Sequence, residues 1–263
     1  MDLQLKGLRA IVAASSRGLG YATARSLAQE GARVAINGRD PASLDKAAGL
    51  LKKDVTTDLL AFAGDITDPG LPARIVEQVV KSWGGIDIVV TNAGGPKQGP
   101  FETFSDEDWL KAIDLSFLSH VRLIRAALPY LKASPSASVL TITSIFVKQP
   151  VPNMILSNSV RSATIGLTKT LALELGSEGI RFNSILPAWT DSDRTASLMS
   201  SRAKAEGITV EEAIQRQAKN SALGRMGTPE EFGNVAAFLV SPVASYLTGV
   251  MLPIDGGLYK GMY

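Results

Sequence analysis

The chain has 263 residues, 45% of them hydrophobic, and 27 Lys and Arg set against 25 Asp and Glu, a net charge of +2. The two signs are mixed along the chain, which leaves no basic footprint for nucleic acid and no polybasic membrane patch. With no cysteine and one histidine, disulfides, thiolate catalysis and thiolate-held metals are excluded, and no metal site is expected. The early apolar run RAIVAA is too short for a signal-peptide core, and no run is long enough to span a bilayer. A protein of the reducing cytoplasm is the expectation.

The elements alternate from the start. LRAIVAA (8–14) reads as a strand, and a helix over about 19–30 ends at Gly31. ARVAING (32–38) is a strand, and Asp40-Pro41 opens the next helix with Asp as N-cap and Pro at the first helical position. DLLAFAGD (58–65) is a strand, 69–83 a helix, and GIDIVVTNAGG (85–95) a strand entering a Gly-rich turn. A helical region runs from Ser105 to about Lys132, followed by the strand SVLTITS (138–144) and a long helix over 154–176. IRFNSIL (180–186) is a strand, and Thr228-Pro229-Glu230-Glu231 a capping box whose helix ends near Val240. VMLPIDGG (250–257) gives the last strand and turn.

Strands that alternate with helices and are apolar at nearly every position predict a buried parallel sheet with helices on both faces. The expectation is an α/β, doubly wound Rossmann sheet in one domain over 1–263, with ligands at the C-terminal ends of its strands. Residues 189–222 break the alternation. They are polar and helical, and are expected to form a flap over the site.

The first strand–helix turn carries Ser15, Ser16, Arg17, Gly18, Leu19 and Gly20. Its glycines allow close backbone approach, and the free amides of a helix N-terminus suit a phosphate. The second strand ends in Asn37, Gly38 and Arg39, where a dinucleotide's adenosine ribose would lie. An acidic residue there would grip a free 2′-hydroxyl. Arg39, with Arg17 opposite, suits a 2′-phosphate instead and favours NADP over NAD; the plainer alternative is a solvated arginine beside Asp40.

These stretches in this order resemble the short-chain dehydrogenase/reductase family, members like the 3-oxoacyl-carrier-protein reductases among them, over nearly the whole chain. Gly64-Asp65-Ile66, Thr91-Asn92-Ala93-Gly94, Asn183 to Pro187, Gly227 to Glu231 and Asp255-Gly256-Gly257 carry the likeness with the Gly-rich turn. The resemblance implies that Asp65 and Ile66 flank the adenine, that Asn92, Ala93 and Gly94 line the cofactor, and that Pro187 and Ala188 border the nicotinamide. It also implies a homo-oligomer, tetramer or dimer, with the two long helices and the tail residues Tyr259, Met262 and Tyr263 as interface. The substrate it implies is a small carbonyl compound or alcohol.

The family's reaction rests on Ser, Tyr and Lys, helped by an Asn. Here Ser144 holds the Ser position, and counting onward puts Ser157 at the Tyr position and Arg161 at the Lys position. The helper falls at Asp114, which would balance Arg161 if the two pair. The usual Thr-Gly start of the first turn is Ala13-Ala14. Arginine polarises an oxyanion but gives up no proton near neutral pH, and a serine hydroxyl stops short of where a tyrosine's would reach. Lys97 and Lys148 lie on loops at the mouth of the pocket as other possible proton donors, each with the plain alternative of a solvated lysine. His120 reads as packing. Pro96, Phe101, Phe146, Trp189 and Met199 suggest an apolar-lined pocket. Three readings stay open: an NADP(H)-dependent oxidoreductase with an atypical Ser-Ser-Arg site, an NADP(H)-binding sensor or scaffold without turnover, or lyase or isomerase chemistry on the same fold, for which Asp114 is the one positive residue.

Overall fold

A computed structural model describes residues 1–262; the tail's Tyr263 lies outside the described residues. Seven parallel strands pair in the order β3-β2-β1-β4-β5-β6-β7. They are β1 Arg9–Val12, β2 Arg33–Gly38, β3 Leu59–Ala63, β4 Ile88–Thr91, β5 Ser138–Ile142, β6 Arg181–Pro187 and β7 Met251–Ile254. The order reverses between β1 and β4, which opens a crevice at their C-terminal ends.

Side chains alternate across the strands and build one core on each face. Ala10 and Val12 of β1, Ile88 and Val90 of β4 and Leu140 and Ile142 of β5 enter one core. It is closed by α1 (Gly18–Gln29), α2 (Pro41–Asp54) and α9 (Pro229–Val240). Ile11, Val89 and Val139 point the other way, under α3 (Leu71–Trp83), α5 (Ser119–Lys132) and α6 (Ile155–Leu175). Both faces of the central strands are covered, which is why β1 and β4 are apolar at nearly every position.

The base of the sheet is pinned by charge. Asp87 is 3% exposed and accepts hydrogen bonds from the Arg9 backbone amide, Nε and Nη2 at 2.9, 2.7 and 2.7 Å, and from Ser134 Oγ at 2.6 Å. Burial pushes the Asp87 carboxyl up, but the bonds from Arg9 and Ser134 outweigh it and hold the group below its ordinary range.

The helical region expected over 105–132 is three pieces. α4 (Asp106–Ile113) starts at a capping box in which the Ser105 and Asp108 side chains serve each other's backbone amides. A π-helical turn, Asp114–Leu118, follows, and α5 resumes at Ser119. One extra residue in such a turn shifts the helix face and sets carbonyls free. The 189–222 segment is helical as expected, forming α7 (Asp193–Glu206) and α8 (Val210–Ala218), with Ser192 and Thr209 as side-chain N-caps.

Candidate active site

The crevice begins at the turn after β1. Ser15 Oγ donates to the Val12 carbonyl at 2.6 Å, and the Ser15 amide donates to the Asn37 carbonyl at 2.7 Å. Ala14 has a left-handed φ of 45°, a conformation that costs an ordinary residue about 1 kcal/mol. Two asparagines hold it there: Asn37 Oδ1 accepts its amide at 3.3 Å, and Asn92 Nδ2 donates to its carbonyl at 3.1 Å. Gly20 passes so close beneath that an added Cβ would lie 2.5 Å from the Ala14 carbonyl oxygen and 2.8 Å from Asn92 Nδ2.

No side chain caps the start of α1, and its first turn carries no acidic residue. Its first amides are therefore presented to the crevice beside Ser16 and the exposed Arg17. Leu19 Cα starts the descent into the core, and its side chain packs on the core of that face. Arg39 is 74% exposed at the end of β2, and among the described residues its ion pair is a loose one of 3.6 Å to Asp65. Asp65 also accepts from the Thr67 amide and hydroxyl at 3.0 and 2.8 Å, and Ile66 is buried. Ala93 is partly exposed and Gly94 fully so at the end of β4. A phosphate-bearing dinucleotide fits this cradle of bare amides, closely approaching glycine and exposed guanidinium.

Asn37, expected to touch the cofactor, is 2% exposed and turned inward. Its Nδ2 donates to the Phe62 and Gly64 carbonyls at 3.0 and 3.1 Å. It braces the turn against β3. Gly38 leaves room for Ser16, whose Cβ would be 2.7 Å from a Cβ there.

On the other side of the crevice, the end of β5 meets α6. Ser144 is buried; its Oγ caps a short 3₁₀ turn by accepting from the Phe146 amide at 3.3 Å. Ser157 and Arg161 lie one helical turn apart on the α6 face toward it, and Ser157 is also buried. Arg161 Nη1 donates to the Thr143 carbonyl, while its enclosed Nε has no partner among the described residues. Burial first, and the charge of Arg194 second, push Arg161 down to about 10, so it stays charged at neutral pH. Thr143 Oγ1 is likewise buried and unpartnered.

Asp114 does not join this group. It pairs with Arg122 at 2.6 Å, and Arg122 in turn donates to the Thr67 carbonyl at 3.0 Å. The pairing of Asp114 with Arg161 that the sequence left open is not made; through Arg122 the carboxylate faces the loop after β3 instead. The residue that the turn presents to α6 is Ser116. Its carbonyl accepts from Thr164 Oγ1 at 2.7 Å, and its buried Oγ has no partner among the described residues. Sequence counting missed Ser116; the available signal was Thr164, which continues the Ser157–Arg161 face toward the neighbouring helix.

The other candidates are engaged elsewhere. Lys97 pairs with Asp108 at 2.6 Å, and Lys148 Nζ sits 5.3 Å from the ring centre of Tyr259. His120 is buried, with Nδ1 2.6 Å from Thr91 Oγ1. Burial and the nearby Arg161 push it down to about 3, so it is neutral at physiological pH. Phe146 packs edge-on against Trp189, ring centres 5.8 Å apart. Met199 is buried in the small core that carries Trp189 and α7, whereas Phe101 is 64% exposed. Pro187 ends β6, and the Ala188 amide donates to the Ile254 carbonyl at 3.1 Å, fixing the strand end from which the 189–222 segment departs.

Residues 13–259 match the family model described as enoyl-(acyl carrier protein) reductase. The chain belongs to the short-chain dehydrogenase/reductase family. A 3-oxoacyl-[acyl-carrier-protein] reductase of Chlamydia muridarum is 34% identical over 98% of this chain and all of that one. L-sorbose reductase from Gluconobacter frateurii, complexed with NADPH and L-sorbose, superposes with a TM-score of 0.95 at 31% identity, covering both chains in full. An NADPH-bound short chain oxidoreductase of Pseudomonas aeruginosa PAO1, containing an atypical catalytic center, superposes with a TM-score of 0.88 at 29% identity, covering 97% of this chain and 99% of that one. The chain is thus an oxidoreductase of this family, and no helix among its described residues is long and apolar enough to cross a membrane.

Proposed function

We propose that the protein is an NADP(H)-dependent reductase or dehydrogenase acting on a carbonyl or secondary alcohol, in which an arginine and serines replace the family's Tyr–Lys pair. The observation that carries this reading is Arg161: a charged guanidinium fixed on the Thr143 carbonyl, with a free Nε, beside the buried Ser144 and Ser157. When bound, the nicotinamide supplies the hydride. The NADPH-bound relatives and the exposed Arg17 and Arg39 favour the phosphorylated cofactor.

The side chains divide the remaining work. Arg17, Arg39 and the bare start of α1 hold phosphates. Arg161 holds the ribose hydroxyls and stabilises the alkoxide that develops on the carbonyl oxygen. Ser144 donates a hydrogen bond to that oxygen. Neither Arg161 nor Ser157 is an acid at neutral pH, so the proton comes from a water in the space that a tyrosine ring would fill, ordered by Ser144 and Ser157. General-acid help is worth roughly 10²–10⁴-fold, so a water-fed site is slowed rather than silenced. The 189–222 segment serves as the flap that excludes bulk solvent, and the chain works as a homo-oligomer in the cytoplasm.

Parallel titration with NADPH and NADH, followed by NADPH oxidation against a panel of ketones, aldehydes and quinones, tests the reading. Tight NADPH binding with turnover of at least one carbonyl supports it. Tight binding with no turnover on any of them would leave the protein a sensor or scaffold.

A further inference from the structure

Arg194 is a second arginine without an ion pair among the described residues, beside Arg161, on the β5 side of the crevice. It stands in the first turn of α7, and its Nη2 reaches across the crevice to the Pro96 carbonyl at 3.3 Å. Gly95 makes room for it: a Cβ there would lie 2.9 Å from the same nitrogen. Its charge is close enough to Arg161 to weigh on that group. Neither arginine has a carboxylate within ion-pair distance among the described residues.

Two guanidiniums facing one site repel each other unless an anion lies between them. The cofactor's phosphates have their own partners on the far side of β1, at the start of α1 and at Arg39. Arg194 instead touches the loop after β4, next to β5 and Ser144. The Phe146–Trp189 pair adds an apolar wall, which Val151 and Met154 extend.

We propose that the substrate is an oxo acid: its carboxylate is received by Arg194, its carbonyl by Arg161 and Ser144, and its apolar chain by Phe146 and Trp189. This rests on the reductase reading above and assigns Arg194 as its specificity-determining residue. The negative charge of the carboxylate relieves the repulsion between the two arginines, and the planar fork of Arg194 matches it in two hydrogen bonds.

The test compares 2-oxohexanoate and 3-oxohexanoate with their methyl esters, which keep the carbonyl and chain but lose the charge. The wild-type protein is expected to prefer an acid over its ester by roughly 10- to 100-fold in kcat/KM. Arg194→Met removes that preference with unchanged NADPH affinity and unchanged melting temperature, and Arg194→Lys restores part of it. Equal use of acid and ester by wild type overturns the proposal. So does a loss of NADPH affinity in Arg194→Met, which would move Arg194 to the cofactor's diphosphate. If no carbonyl is reduced, the reductase reading fails by itself. Calorimetric titration with the two acids, in the presence and absence of NADP⁺, then decides: binding weakened at least tenfold in Arg194→Met upholds the anion site, and no binding, or binding indifferent to the variant, refutes it.

Discussion

Replacing His120 with leucine should make the protein less stable at pH 8 and more stable at pH 5. In the fold the ring is buried against Thr91, and burial together with Arg161 pushes it down to about 3. In the unfolded chain the ordinary value is about 6.5. Because the folded pKa is the lower one, full stability is present above about pH 6.5 and is lost as the pH falls toward 3. Over that interval the unfolded chain takes up a proton that the fold refuses. From pH 8 to pH 5 this removes about 2 kcal/mol. The leucine variant escapes the loss but forfeits the hydrogen bond to Thr91, about 1 kcal/mol. The two stability curves therefore cross near pH ~6. The experiment is urea unfolding followed by far-UV circular dichroism at pH 8, 7, 6 and 5. It is unusually clean, since His120 is the chain's one histidine and the carboxylates titrate lower. Parallel curves, with a constant gap at every pH, would refute the reasoning and mean that the ring protonates in the fold as freely as in water.

Three further outcomes follow from the geometry. Arg39→Leu should weaken NADPH binding by roughly 10- to 100-fold and leave NADH binding unchanged, because the exposed side chain, loosely paired with Asp65, would reach a 2′-phosphate that NADH lacks; isothermal titration measures both. Gly20→Ala should abolish binding of either cofactor and lower stability by about 1–3 kcal/mol, since its methyl meets the Ala14 carbonyl; binding equal to wild type would show that the turn yields. Asp87→Ala should cost about 3–5 kcal/mol in denaturant unfolding at pH 7 by stranding Arg9 at the base of the sheet, with the deficit shrinking below pH 4 as the wild-type carboxyl is protonated.

The parts of the molecule decided by neighbours in the chain were legible from its residues. The central strands β1 and β4 appear as apolar runs because both their faces are covered, and Asp40-Pro41 and the Thr228 box start helices as their side chains require. Contacts between distant segments were not legible. The π turn leaves no mark in hydrophobic spacing, so 105–132 read as one helix and Asp114 was assigned to the wrong side of it. Asn37 looked like a ligand because its position was right; only the fold shows its amide spent on the Phe62 and Gly64 carbonyls. The span from Pro96 to Arg194 covers 98 residues, which no local pattern signals. Ser144, Ser157 and Arg161 were named by counting along the pattern that the resemblance implies; the structure places Ser144 at the end of β5 and the other two on α6, where Arg161 donates to the Thr143 carbonyl.

The π turn also sets a phase. An α-helix advances about 100° per residue, so removing one residue from 114–118 would rotate everything after it by that angle. Leu123, Ile124, Ala127 and Leu131 would leave the core they now fill, and His120 would swing off Thr91. Keeping α5 seated while straightening the turn would instead rotate α4 and drag Ser105 and Trp109 around with it. The segment therefore tolerates changes of residue type far better than changes of length. A surface loop can absorb an added or lost residue, but this internal stretch behaves like a gear tooth, with its count locked by the packing on either side.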